Sequence, residues 1–263
     1  MLEKLIADRR KALDRSKRKT DKKRLLKKIE EMPPTRDFKK ALENPPTEFA
    51  VIAEIKWASP SKGYLKPEYS AKKPAVSLAR SYEQAGAAAL SVITEEDNFK
   101  GELSDLEKIK KAVKIPVMRK DFILEEYQLY EARAFGADAV LLMASILKEK
   151  ELEKLLNLAH KLNLEALVEI KDLPELEKVL KAGPGVVGVN NRNLETMKID
   201  FKTLKKLVPL IPAGITVVSE SGIVSFRQMK KIKETVGINK FLIGSILAQS
   251  SHPGKKLKEL LNP

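Results

Sequence analysis

Six side chains able to carry acid–base or hydrogen-bonding chemistry stand at the ends of short apolar runs: Glu54, Lys56, Lys120, Glu169, Asn190 and Glu220. Residues two apart in an extended strand share a face. Lys120 stands two after Met118, Glu169 two after Leu167, Asn190 two after Gly188 and Glu220 two after Val218, while Glu54 and Lys56 share one face of VIAEIK. Each polar group is thereby placed one pleat above an apolar or small residue, as in a filled interior that ends in a polar rim. One such residue alone reads equally as an interior ion pair or a solvated strand end. Six together point to a site, because burying charges without a partner costs several kcal/mol each. Opposite charges at close range also shift one another's proton affinities, which is how a lysine becomes an acid and a glutamate a base near neutral pH.

Two more strand ends carry a different chemistry. Ser219-Glu220-Ser221-Gly222 and Ile243-Gly244-Ser245 place glycines beside hydroxyls. Glycine lets backbone N–H groups approach an anion and serine adds donors, so Ser221, Gly222, Gly244 and Ser245 are candidate phosphate contacts. Arg192, in the loop NNRNLET, could grip a carboxylate with two parallel hydrogen bonds. The first strand runs into a loop containing Ser59, Pro60 and Gly63. No cysteine is present, which removes thiolate nucleophiles, disulfides and cysteine-held metals together. His160 and His252 are too few for a histidine zinc site and read as structural.

The elements that must position these groups follow from the period of the apolar residues. Strand-like runs at 51–56, 88–94, 116–121, 139–145, 165–170, 186–191, 216–221 and 240–245 alternate with helical patterns at 73–85, 103–113, 125–135, 148–162, 173–182, 200–208, 225–236 and 253–261. Eight such units at a mean spacing of about 27 residues predict an α/β fold, a (β/α)8 TIM barrel, whose active site lies at the carboxyl ends of the strands and whose phosphate site follows strands seven and eight. An open doubly wound sheet would carry a glycine-rich dinucleotide loop after its first strand, and none is present. Asp172 and Asp200 are suited to cap helices, and Gly86, Gly136, Gly183 and Gly237 to end them.

Residues 1–46 precede the first strand and read as an N-terminal helical extension packed on a single barrel domain of 47–263. The broken helical pattern at 2–30 and a shorter turn within 35–43 lie in it, bracketed by Pro33-Pro34 and Pro45-Pro46. Of the net charge of +14, about +9 lies in residues 1–40, which hold 16 Lys/Arg against 7 Asp/Glu. Nucleic-acid binding there lacks aromatic interleaving, since Phe38 is the only ring before residue 49. The expected partner is instead a small anionic molecule, with neither nucleic acid nor membrane involved. No apolar run approaches the roughly 18 residues of a membrane span, and the start of the chain lacks a signal-peptide core, so a cytoplasmic protein is expected. Abundant Lys and Glu with few Gln and no Cys resemble a thermostable protein's composition.

The strings AEIKWASPSKG (53–63), RKDFIL (119–124), ALVEIKD (166–172), VGVNNRNLET (187–196), VSESGI (218–223) and FLIGSIL (241–247) together resemble the indole-3-glycerol phosphate synthase family of tryptophan biosynthesis. The resemblance runs in order from about residue 45 to the C-terminus, and residues 1–46 are similar to the helical segment that this family carries before its first strand. It implies ring closure of 1-(2-carboxyphenylamino)-1-deoxyribulose 5-phosphate with loss of carbon dioxide and water, using no cofactor and no metal, by a monomer or weak homo-oligomer. Lys120 then resembles the family's general acid at the carbonyl and Glu169 its acid/base for dehydration. Lys56 matches a lysine that contacts phosphate and can also donate a proton; which lysine serves which step stays open. Glu54, Asn190 and Glu220 match orienting residues, and Ser59, Pro60 and Arg192 the carboxylate side. Ser221, Gly222, Gly244 and Ser245 match the phosphate side. Phe99, Phe122, Leu142, Leu194 and Leu242 resemble the apolar wall around the aromatic ring.

Two positions depart from the family pattern: Trp57 where Lys or Arg is usual, and Asn98 where an aromatic is common. By parity Trp57 points away from the interior and is expected to pack under the loop. The alternatives are another phosphosugar barrel, such as phosphoribosylanthranilate isomerase, or an inactive or engineered family member acting as an anion-binding scaffold. The isomerase relies on a Cys/Asp pair, which a chain without cysteine cannot supply.

Overall fold

The eight apolar runs form eight parallel strands: β1 (Ala50–Ile55), β2 (Ala89–Ile93), β3 (Val117–Lys120), β4 (Ala139–Met143), β5 (Glu165–Ile170), β6 (Val186–Asn190), β7 (Thr216–Glu220) and β8 (Lys240–Ile243). In this computed structural model, which describes residues 2–60, 63–71, 74–193 and 196–262, each strand pairs with its sequence neighbours and β1 pairs with β8, closing the barrel. The register pairs Ile52 with both Leu242 and Ala89, and Glu169 with both Met143 and Gly188.

Alternation along the strands sorts the side chains into two apolar bodies. Ala50, Ile52, Ala89, Met118, Ala139, Leu141, Leu167, Val186, Val218 and Leu242 fill the barrel interior. Their neighbours, such as Val51, Leu90, Val140, Leu142, Val168 and Val187, pack outward against the helices. Every strand is therefore buried on both faces, which is why the runs read as continuously apolar.

Helices α1 (Ala75–Gln84), α2 (Leu103–Ala112), α3 (Glu126–Ala134), α4 (Glu149–Lys161), α5 (Leu173–Ala182), α6 (Lys202–Leu207) and α7 (Phe226–Val236) alternate with the strands, and α8 (Pro253–Leu261) follows the last. Before the barrel lie the helices here labelled αA (Leu2–Lys19), αB (Lys22–Glu30) and αC (Phe38–Glu43). Asp172 caps α5 by accepting the Glu175 N–H at 3.0 Å, and Gly183 ends it with φ of 68°. The N-terminal pattern is broken at Thr20-Asp21 because Asp21 caps αB, accepting from the Arg24 N–H at 2.8 Å.

The N-terminal helices are tied to the barrel at both ends. Phe38 and Leu42 of αC join the interior cluster. Near that end Asp138 is 1% exposed; it accepts the backbone N–H groups of Arg36 at 2.6 Å and Val117 at 2.8 Å and pairs with Lys110. At the opposite end Arg9 of αA donates to Asp121 Oδ2 at 2.8 Å, beside the Arg119 and Thr94 contacts of the same oxygen.

The differences from the sequence expectation lie at element ends and in the loops. Lys56, Asp121, Asn191 and Ser221 fall just past their strands, and Ala144 and Ser145 form a turn rather than the end of β4. A short hairpin, Ala58–Ser59 with Gly63–Tyr64, follows β1, and a five-residue helix, Ser245–Gln249, follows β8. Both are too short to leave a periodic signal in the sequence.

Candidate active site

The strand ends open into one cleft of about 490 Å³ at the carboxyl end of the barrel. Glu54, Lys56, Lys120, Glu169, Asn190 and Glu220 all line it, with Ser59, Pro60, Phe99, Phe122, Arg192, Leu242, Ser221, Gly222, Gly244 and Ser245 around them. Leu194 lies outside the described residues. Leu142 is a correction: it faces the helix layer, and its neighbours Leu141 and Met143 line the cleft in its place. Strand parity explains this, since Leu141 and Met143 share the inward face of β4 and Leu142 does not.

Lys120 occupies the middle. Its ammonium stands 3.6 Å from Glu220, 3.9 Å from Glu169 and 4.0 Å from Glu54, carboxylates brought by β7, β5 and β1. Burial would lower the Lys120 proton affinity, but the attraction of Glu220, Glu169 and Glu54 outweighs it and holds the amine above the ordinary lysine range. Lys120 is thus protonated at neutral pH. Burial likewise pushes Glu54 up, but Lys56, 3.0 Å away, and Lys120 overcome it and keep Glu54 below the usual carboxylate range. Glu220 goes the other way. Burial, reinforced by the neighbouring Glu169 and Glu54 charges, raises its carboxyl to about 8 against the pull of Lys120.

Two glycines make room for these carboxylates. A Cβ on Gly188 would stand 1.9 Å from Glu220 Oε1, and one on Gly244 2.2 Å from Glu54 Oε1. The glycines in β6 and after β8 are therefore required by side chains from neighbouring strands as well as by the backbone.

At one side of the cleft, Lys56 Nζ reaches Ser245 Oγ at 3.4 Å, near the Ser221-Gly222 turn. Ser221 and Gly222 both adopt positive φ, 63° and 84°. Elsewhere on the rim, Arg192 donates to the Met197 carbonyl at 3.2 Å while its backbone N–H donates to Asn190 Oδ1 at 2.9 Å. Phe99 and Phe122 form an aromatic wall with ring centroids 6.4 Å apart. Trp57 is buried outside the barrel interior, edge-on to Tyr69 at 5.0 Å, and packs under the loop as its parity requires.

Several lining residues carried no sequence signal. Leu2 and Leu5 of αA reach the cleft from far away in the chain, and Leu65, Met197 and Ile199 arrive on loops. Glu95 did carry one, standing two after Ile93 on the inward face of β2. Its buried carboxylate accepts the Asn98 and Phe99 N–H groups, both at 2.8 Å, and so folds the loop that presents Phe99. Asn98, the second departure, spends its side chain on the same carboxylate at 3.1 Å.

The closed barrel and the lysine–carboxylate mouth at its carboxyl end define a TIM-barrel enzyme. Likeness to solved structures supports the fold: KGPDC from Streptococcus mutans superposes with a TM-score of 0.62 at 15% identity, covering 82% of this chain and 96% of that one. Thiamine phosphate pyrophosphorylase from Pyrococcus furiosus gives 0.58 at 18% identity, with 81% and 94% covered. The sequence comparisons are more specific. The family model for indole-3-glycerol phosphate synthase matches residues 2–260. Proteins of that name are 42% identical in Carboxydothermus hydrogenoformans, with 99% of each chain covered, and 43% identical in Aquifex aeolicus, with 90% of this chain and 91% of that one covered. The chain belongs to the indole-3-glycerol phosphate synthase family, and is a carboxy-lyase of tryptophan biosynthesis. None of its described helices is long and apolar enough to cross a membrane.

Proposed function

We propose that the cleft closes the ring of 1-(2-carboxyphenylamino)-1-deoxyribulose 5-phosphate, with Lys120 as the general acid and Glu169 as the acid/base of the dehydration. The observation that carries this reading is the ring of three carboxyl groups, Glu54, Glu169 and Glu220, around the Lys120 ammonium within 4.0 Å. A protonated lysine at that point can donate to the substrate carbonyl as the aromatic carbon attacks. The new carbon–carbon bond then forms, carbon dioxide leaves the ring carbon that carried it, and the resulting hydroxyl departs as water once protonated, while the adjacent carbon that bears the nitrogen gives up a proton to form the indole double bond. Glu169, as acid/base, exchanges the protons of this last step.

The rest of the cleft fits the two ends of such a substrate. Ser221, Gly222, Gly244, Ser245 and Lys56 suit the phosphate; Ser59, Pro60 and Arg192 suit the carboxylate; and Phe99, Phe122 and Leu242 suit the ring between them. Lys56 can serve both phosphate binding and proton donation. Glu54 holds Lys56, Asn190 holds the Arg192 backbone, and Glu220 meets Lys120 from β7. The reaction runs without metal or cofactor on a small anionic substrate, in the cytoplasm and as a monomer or weak homo-oligomer. Residues 1–46 act as a helical extension of the single barrel domain of 47–263.

The test is turnover of the carboxyphenylamino substrate, followed by the rise of indole fluorescence. Wild-type protein is expected to give that signal, and Lys120→Ala and Glu169→Gln to lose it by orders of magnitude while melting as folded proteins. No signal from folded wild-type protein would refute the assignment.

A further inference from the structure

Asn191 follows Asn190 but stays behind the cleft wall, 2% exposed. Its side-chain nitrogen donates to the Glu220 carbonyl at 2.7 Å, to Ser219 Oγ at 3.1 Å and to the Ser221 carbonyl at 3.3 Å. Its backbone N–H donates to the same Glu220 carbonyl at 3.0 Å, and its own carbonyl accepts the Asp200 N–H at 2.8 Å. One residue thereby ties the end of β6, the end of β7 and the chain returning from the Arg192 loop. Two of the three side-chain acceptors are carbonyls, which can only accept, so the amide nitrogen must face them. The amide oxygen is buried with no partner among the described residues. Leaving an acceptor unpaired costs stability, and the orientation persists because the nitrogen end is held from three sides.

The held segment is conformationally unusual. Ser221 has φ of 63°, a region that a residue with a Cβ enters only under constraint. The next residue, Gly222, also has positive φ, and a Cβ there would meet Ile199 at 2.6 Å. This left-handed pair carries the Ser221 and Gly222 backbone along the cleft wall.

We propose that Asn191 is a positioning residue for the phosphate side of the cleft, its amide clamping the Glu220 and Ser221 carbonyls and so holding Ser221 in the left-handed conformation that presents the Ser221-Gly222 turn to the substrate phosphate. The inference rests on the reading of Ser221, Gly222, Gly244 and Ser245 as phosphate contacts. It predicts a defect in phosphate affinity rather than in proton transfer, and it predicts that glycine at position 221, which adopts positive φ without strain, makes the clamp dispensable.

The experiment measures the inhibition constant of inorganic phosphate, with KM and kcat, for wild type, Asn191→Ala, Ser221→Gly and the double variant, each checked for folding by thermal melting. Asn191→Ala is expected to raise the phosphate inhibition constant and KM about tenfold with kcat within about threefold, the loss of roughly one hydrogen bond to a charged ligand. In the Ser221→Gly background the same substitution is expected to change both constants by less than about twofold, because the strain it relieves is already gone. Asn191→Asp keeps the shape and loses both N–H donors; it is read the same way should the alanine variant be recovered unfolded. An unchanged inhibition constant, a defect confined to kcat, or an equal loss in both backgrounds would each overturn the proposal while leaving the phosphate site standing. Failure of inorganic phosphate to compete with substrate in the wild type would instead overturn the phosphate reading, and this inference with it.

Discussion

Lys120 sits at the centre of the mouth because three strands that are distant in sequence each carry, at or one residue before their carboxyl ends, a glutamate within 4.0 Å of its ammonium. The geometry around it depends on small neighbours as much as on the charged groups. Gly188→Ala places a methyl group where Glu220 Oε1 now lies. The carboxyl must then move by an ångström or more, and turnover is expected to fall on the order of 100-fold. Steady-state kinetics beside a thermal melt checks this, and wild-type turnover from a folded alanine variant would contradict it. Glu220 also makes a pH prediction. Its carboxyl is raised from the ordinary 4.5 to about 8, so between these values the folded chain holds a proton that the unfolded chain has lost. The associated stability is complete below 4.5 and is lost as pH rises through 8. Glu220→Gln removes that dependence, so the melting temperature of the variant relative to wild type is expected to climb from pH 5 to pH 9. A constant difference across that range would refute the raised proton affinity of Glu220.

Most of this residue-level picture was legible because strand parity is a strict rule. Lys120, Glu169 and Glu220 each stand two after an apolar residue, Asn190 two after a glycine, and Glu54 shares its face with Lys56; all five line the cleft. The same rule excludes Leu142, which only the family resemblance implied: it packs outward between Leu141 and Met143. Asn191 could not be found this way: its parity points it out of the cleft, and its task is defined by carbonyls on β7.

At the scale of elements, αA brings Leu2 and Leu5 to the cleft and is pinned by Arg9 on Asp121, the residue after Lys120. The sequence showed αA as a basic amphipathic segment but could not say where it docks, because no local pattern encodes a contact across 112 positions. Arg9→Ala leaves Asp121 with Arg119 and Thr94, so the cost is expected to be about 2 kcal/mol, below that of fully orphaning a buried carboxylate. Urea unfolding measures it; no change in midpoint would mean that αA is held by its apolar stripe alone.

At the scale of the whole molecule, the barrel divides its labour between its ends. The amino end is closed by Phe38 and Leu42 and by the Asp138 cluster, whereas the carboxyl end carries the charged mouth. Asp138→Ala would leave Lys110 buried without its anion, at a cost of about 3–5 kcal/mol, with turnover per folded molecule unchanged. Denaturant unfolding combined with active-site titration separates the two quantities, and a loss of turnover in the folded fraction would deny the division. The barrel itself was legible from eight apolar runs at a regular spacing, a pattern that follows from burial on both strand faces. Single-turnover kinetics of Lys120→Met and Glu169→Gln with saturating protein examines whether these two residues perform the proton transfers of ring closure and dehydration. Substrate affinity is expected within about tenfold of wild type and the chemical step slowed by about 10³-fold or more; a chemical step at the wild-type rate in either folded variant would refute the assignment of proton transfer to Lys120 and Glu169.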